Sequence, residues 1–334
     1  DGWVDLLPPD EMRIHSPVWS NYEWYLRHIL YRDKMIDDDF AVTDEMACFA
    51  SWDLAWDDKY PDGEPRPRFT VDREKSQETF DRTRDVFGDI LNVREYICFH
   101  MMSNQPGEIA NIHGKLDLEQ MMFDMYDEPE TLHRYLKNST RAMIDTFRQM
   151  EASGLLIQNT QGHYTDSGGN GWTDSLPPKK QGDVKLCDMW GFGVAQEFSE
   201  VSPEMHKEFG IDYQKQILEL FGLSSYGCCE PYTNKFDILK EIKNLRRISC
   251  SPWCDLERAS EALGRDYILS VKINPSVMIY EKDENVVREY IRQAVRKTKN
   301  NCSEYLLKDI IRLDKPGMKE RFLKIGKILR EECS

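Results

Sequence analysis

No GxGxxG follows a strand pattern, and no GxxxxGK[ST], HExxH or GxSxG occurs anywhere in the chain. Dinucleotide, phosphate-loop, zincin and α/β-hydrolase readings therefore have no motif to stand on. No apolar run approaches the roughly 18 residues a membrane span needs, and no signal peptide opens the chain, which predicts a cytoplasmic protein with no membrane partner. Basic residues are in deficit, 44 against 59 acidic ones, for a net charge of -15. A surface so acidic repels nucleic acid and anionic membranes, and no basic stripe overrides it. The nine cysteines are odd in number and include no C-x-x-C pair, so reduced thiols are expected in place of a disulfide framework. Internal repeats and low-complexity tracts are absent too.

What is present is an ordinary globular composition, 40% hydrophobic and 31% charged over 334 residues, enough for one large α/β domain or two smaller ones. The most informative stretch is Tyr226-Gly227-Cys228-Cys229-Glu230-Pro231, where two thiols and a carboxylate meet the end of an apolar run. Leu223 to Gly227 reads as a short buried strand. Three more strand patterns follow: Arg246 to Cys250, ending in Ser251-Pro252-Trp253-Cys254-Asp255; Tyr267 to Ile273, ending in Asn274-Pro275; and Tyr305 to Leu307, ending in Lys308-Asp309. Strands alternating with helical patterns imply a parallel sheet, and residues at the C-terminal strand ends form the active face of a barrel.

Residues 1–75 are aromatic, acidic and irregular, and read as short helices and hairpins that wrap a larger domain. Helices are expected over Thr79–Leu91, Leu116–Tyr126, Glu130–Ser153 and from Ser202-Pro203-Glu204 to Phe221, with strands at Arg94–His100 and Leu155–Ile157. Gln161 to Lys180 is a long loop rich in glycine and polar residues, the kind that is functional, mobile or an inert insertion.

Adjacent strand residues face opposite ways, so Cys228 and Cys229 enter one metal site only if the strand has ended. Paired cysteines also pack in cores, which leaves both roles open. Cys250-x-x-x-Cys254 falls within zinc-pair spacing but straddles a Pro and a Trp. Trp172, Trp190 and Trp253 in or beside loops, with His163, Asp174, Gln196, Asp255 and Lys272 as polar neighbours, suit a small-molecule pocket. Trp190 and Trp253 equally suit a core. His100 and His113 flank a strand end and a helix start, where a structural histidine is the commoner outcome.

From Asn104 to Leu329 the order of segments resembles the uroporphyrinogen decarboxylase superfamily. Asp127-Glu128-Pro129-Glu130-Thr131-Leu132-His133 is similar to its helix-opening "DEPE" region, and Glu151-Ala152-Ser153-Gly154 with Leu155-Leu156-Ile157 to its "EAGAD" strand start. Gly227-Cys228-Cys229-Glu230 falls where the methyltransferase branch carries a zinc-binding His-x-Cys-Gly. Ser251 to Asp255 is similar to a strand end with a functional aspartate, Lys272-Ile273-Asn274-Pro275 to the "GNLDP" turn, and Glu304 to Ile311 occupies the last barrel strand. Two departures stand out. Asp1 to Asp33 has no arginine-rich cradle of the decarboxylase kind. Gly227 stands where the methyltransferase branch has His, and Lys308-Asp309 where it has Cys.

The resemblance implies a (β/α)8 TIM-type barrel over 76–334 with residues 1–75 as an irregular extension, and a zinc-dependent methyltransferase. Its zinc would be held by Cys229, Glu230 and Asp309, with Cys228 beside them. The substrate would be a small methyl ether or methylamine, and the partner a separate protein carrying a corrinoid (cobalamin). Asp255 and His163 would be catalytic. Tyr164, Trp172, Trp190, Gln196, Trp253, Lys272 and Asn274 would hold the substrate. A homodimer is an allowed assembly. A decarboxylase acting on another acid and a catalytically silent ligand-binding barrel are the alternatives.

Overall fold

The computed structural model describes residues 2–16, 18–97, 118–162, 164–309 and 312–333. Nine strands are found among them: β1 Glu45–Phe49, β2 Trp52–Lys59, β3 Pro65–Val71, β4 Asn92–Tyr96, β5 Trp190–Gly193, β6 Leu223–Tyr226, β7 Leu245–Cys250, β8 Ile268–Lys272 and β9 Cys302–Leu306. Strands β5 to β9 make one five-stranded sheet in sequence order, every neighbouring pair parallel. The mixed α/β class expected from alternating patterns is thus present. Parallel strands covered by helices on their faces are buried on both sides, which is why all four residues of β5 are buried and five of the six in β7.

The first 75 residues do more than wrap. They supply β1, which pairs in parallel with β4, and the antiparallel hairpin β2–β3. They also hold the helix Trp19–Met35, 17 residues long. Ile97, just past β4, donates its backbone N–H to the Leu155 carbonyl at 3.1 Å, and Ala50 donates to Tyr96. No strand is assigned at Leu155–Ile157, although the three side chains are buried as expected.

Local sequence explains the helix starts. Asp72 accepts from the Lys75 amide and opens Arg73–Phe87 six residues before the periodicity suggests, because the polar first turn hides the start. Pro129 sits at the first position of Pro129–Ala152, and Ser202 accepts from Met205 N to open the helical stretch that follows. That stretch is interrupted by a π turn at Lys207–Ile211 and ends at Leu218. The helices Leu256–Leu263, Pro275–Tyr280 and Glu284–Thr298 are capped by Asp255, Asn274 and Asp283. The largest apolar cluster lies around β6 to β8, with Tyr226, Tyr232, Ile248, Leu269, Val271 and Ile291 at its centre.

One buried ion group fixes the long loop to the sheet. Arg247 of β7 is 3% exposed and donates to Thr165 Oγ1 at 2.9 Å, Asp166 Oδ2 at 3.1 Å and the Asn170 carbonyl at 2.5 Å, while Glu304 of β9 lies 2.9 Å from its Nε. Its guanidinium also stacks over the Trp190 ring, 4.7 Å from the centroid. Close approach at this clamp requires glycine: a Cβ at Gly169 would lie 2.8 Å from the guanidinium carbon. Arg247→Met leaves two carboxylates in or beside the sheet without their cation. It is expected to lower stability by about 3–5 kcal/mol, measured by urea unfolding.

Candidate functional site

Strands β6 to β9 run parallel, so the residues after their C-terminal ends share one rim. Cys228 and Cys229 follow β6, Asp255 follows β7, Asn274 follows β8 and Asp309 follows β9. Behind this rim lies a cavity of about 960 Å³ reached by Cys228, Ser167, Lys308, Asp309, Tyr164 and Gln196.

The centre of the site is the Cys228 sulfur. Strand β6 stops at Tyr226, and Gly227 turns the chain at φ +99°. Cys228 and Cys229 therefore no longer alternate across a strand, and their sulfurs lie 3.4 Å apart. Ser167, delivered by the clamped loop, has its hydroxyl oxygen 2.7 Å from Cys228 Sγ. Lys308 Nζ lies 3.5 Å from that sulfur and donates to Ser167 Oγ at 2.6 Å. Lys272, the last residue of β8 and 3% exposed, donates to the Cys228 carbonyl and lies 3.2 Å from Ser167 Oγ. Ser249 Oγ donates to the same carbonyl at 2.7 Å.

This surrounding lowers the Cys228 thiol from its ordinary value near 9 to about 5. The S–H of Cys229 donating to it is the largest cause; Lys272, Ser167 and Lys308 add to it, and burial works the other way. Cys229 is pushed up correspondingly, chiefly by that hydrogen bond. Its single S–H has a second possible acceptor in Asp309 Oδ2 at 3.8 Å. The shorter contact and the nearby ammonium groups favour Cys228 as the ionised partner. Burial lowers Lys272, whereas Cys228 and Asp309 hold Lys308 above its usual range against burial.

Glu230 is committed to backbone and hydroxyl donors. It is 2% exposed, and its carboxylate accepts from Cys228 N at 3.0 Å, Ala195 N at 3.3 Å and the Tyr232 hydroxyl. Asp255 and Asn274 reach the rim only as helix caps, Asp255 accepting from Glu257 N and Arg258 N, and Asn274 from Ser276 N. Trp190 is fully buried, its indole N–H donating to the Gly171 carbonyl. Trp253 is 69% exposed on the rim, and Trp172 is exposed against Gly162. Tyr164 faces the cavity and its hydroxyl accepts from Arg32 at 2.7 Å. His163, His100 and His113 lie outside the described residues.

Ser167 and Lys308 are the functional neighbours that sequence reasoning missed. Lys308 was visible only as the residue beside Asp309, and Ser167 only as one polar residue in a glycine-rich loop.

A zinc set needs several deprotonated donors around one point. Among the described residues no group of three or more His, Cys, Asp and Glu is arranged to hold a metal ion. Glu230 is committed to backbone amides, and the Lys308 ammonium stands against the Cys228 sulfur. The described residues alone do not make the site that the resemblance implies. Gly227 shows why the missing histidine is not simply substituted: a Cβ there would lie 2.3 Å from the Tyr232 ring, at a φ that side chains rarely adopt.

Compared with models of known protein families the chain matches none, and no curated protein matches it.

Two outcomes are expected. Alkylation of Cys228 by iodoacetamide, followed by peptide mass spectrometry against pH, should stop rising above about pH 6, because the thiolate is already formed, whereas an ordinary thiol continues to gain rate to about pH 9; Lys272→Met should move the plateau to higher pH. Gly227→His should cost at least about 2 kcal/mol of stability in thermal unfolding, from the positive φ and the collision with Tyr232.

Proposed function

We propose that the chain is a methyltransferase on a (β/α)8 barrel, moving a methyl group between a small methylated substrate and the cobalt of a corrinoid carried by a separate protein. The order of seven strands and one buried connecting stretch supports the barrel: β1, β4, residues 155–159, then β5 to β9. The two-stranded pair is parallel, Ile97 reaches Leu155, and the Asn159 side chain bonds both the Trp190 N–H and carbonyl at 2.8 and 2.9 Å, which links that stretch to β5.

The observation that carries the function is the Cys228 sulfur, ringed by Ser167, Lys272 and Lys308 on the rim and opening into a cavity sized for a small molecule. A corrinoid supplies a reduced cobalt centre that accepts or donates a methyl group. The chain would supply the rest. Tyr164 and Gln196 line the cavity where a substrate would be oriented, and Lys308 can deliver a proton to the heteroatom from which the methyl group departs. No step is assigned to zinc, since the described donors do not form its set.

The two ammonium groups also favour a second reading, a carboxy-lyase that binds its acid substrate at Lys272 and Lys308. One assay separates the two. With free reduced cobalamin or a corrinoid protein, and a panel of methyl ethers and methylamines, the cobalt absorbance should change only when the chain and a substrate are both present. Release of carbon dioxide from an acid substrate with no response to corrinoid would establish the carboxy-lyase and overturn the methyltransferase.

A further inference from the structure

We infer that Cys228 is a covalent nucleophile: its sulfur takes the methyl group itself, from a methyl ether, with Lys308 as proton donor to the departing oxygen. This rests on the methyltransferase reading for the group transferred, and on the geometry of the rim for the residue and the substrate class.

Three features single out Cys228. Cys228, unlike Cys229, lines the cavity. It is held by Ser167 at 2.7 Å and Cys229 at 3.4 Å, so its lone pairs are aimed by contacts on two sides. Two lysine side chains, one of them 3% exposed, converge on it and on Ser167. Cationic neighbours of this kind are what make a cysteine nucleophilic at neutral pH.

The neighbouring Cys229 thiol is free and acts on Cys228 as a hydrogen-bond donor, its sulfur 3.4 Å away.

The same charges select the substrate. Lys272 and Lys308 repel the positive nitrogen of a methylammonium compound, but they stabilise negative charge growing on a leaving oxygen. In the step, a sulfur lone pair forms the S–C bond while the C–O bond breaks. The bonding pair passes to oxygen, which takes a proton from the Lys308 ammonium. The products are S-methylcysteine and an alcohol or phenol, with no change of oxidation state. Passing the methyl group to the acceptor returns the electron pair to sulfur, and Lys308 regains its proton from water.

The test is intact and peptide mass spectrometry of the full chain after incubation with methoxybenzene and methoxybenzoate, with corrinoid omitted. One methyl group on Cys228 is expected, none on Cys229, and none in Lys308→Met. Ser167→Ala, which keeps the Lys308 charge in place, serves as a second variant and should slow methylation at least tenfold; iodoacetamide should label Cys228 before Cys229 in the unmodified chain. If Cys228→Ala still methylates cobalt from an ether, Cys228 is not the nucleophile and the methyltransferase reading survives. An adduct on Cys229, or faster labelling there, overturns the assignment as well. If neither an adduct nor any corrinoid-dependent transfer is found, both readings fall.

Discussion

The site depends on one buried carboxylate. Glu230 gathers the amides of Cys228 and Ala195 and the Tyr232 hydroxyl, so it joins the turn after β6 to the end of β5 and to the packed ring beneath. A buried backbone N–H left without an acceptor costs about 1–3 kcal/mol, and two are satisfied here by one side chain. With Gly227 at positive φ, this is what aims Cys228 toward the cavity rather than into the core. Beneath it, Tyr226 donates to Gln214 and lies 3.1 Å from His206 Nε2, so polar groups continue below the turn inside an otherwise apolar cluster. Burial holds His206 neutral, near a value of about 3.

Around that anchor the charges are arranged by strand order. Lys272 ends β8 and Lys308 follows β9, so two side chains 36 positions apart meet Ser167 because their strands are neighbours in a parallel sheet. Asp309 is held at φ +63°, a conformation that aspartate tolerates better than most residues, and its carboxylate lies 3.3 Å from Lys308 Nζ. The rim therefore carries cations next to the thiol and an anion beyond them. Such an arrangement gives Lys308 a group of opposite charge on each of two sides.

Much of this was legible in sequence. Short apolar runs ending in polar turns located β6 to β9 within one to three residues, because buried parallel strands leave few other patterns. Pro129 and Ser202 marked helix starts through the chemistry of their caps. Side-chain partners were not legible: Glu230 accepts backbone amides from inside and Asp255 caps a helix, neither of which spacing reveals. Nor did spacing reveal which cysteine faces the cavity, since that follows from where β6 stops and Gly227 turns. Ser167 was hidden because a loop residue acquires its neighbours only when Arg247 fastens the loop.

That fastening has a consequence for motion. Arg247 sits within β7 and grips the loop at Thr165, Asp166 and Asn170, so the loop shares the sheet's stability instead of fraying as an exposed segment of its length would. Access to the sulfur must then come from elsewhere along the rim. In native-state hydrogen exchange the amides of Thr165 and Gly169, bonded to Gly169 O and Asp166 Oδ1, would open together with β7 as one cooperative unit, making the floor of the pocket a rigid template rather than a lid.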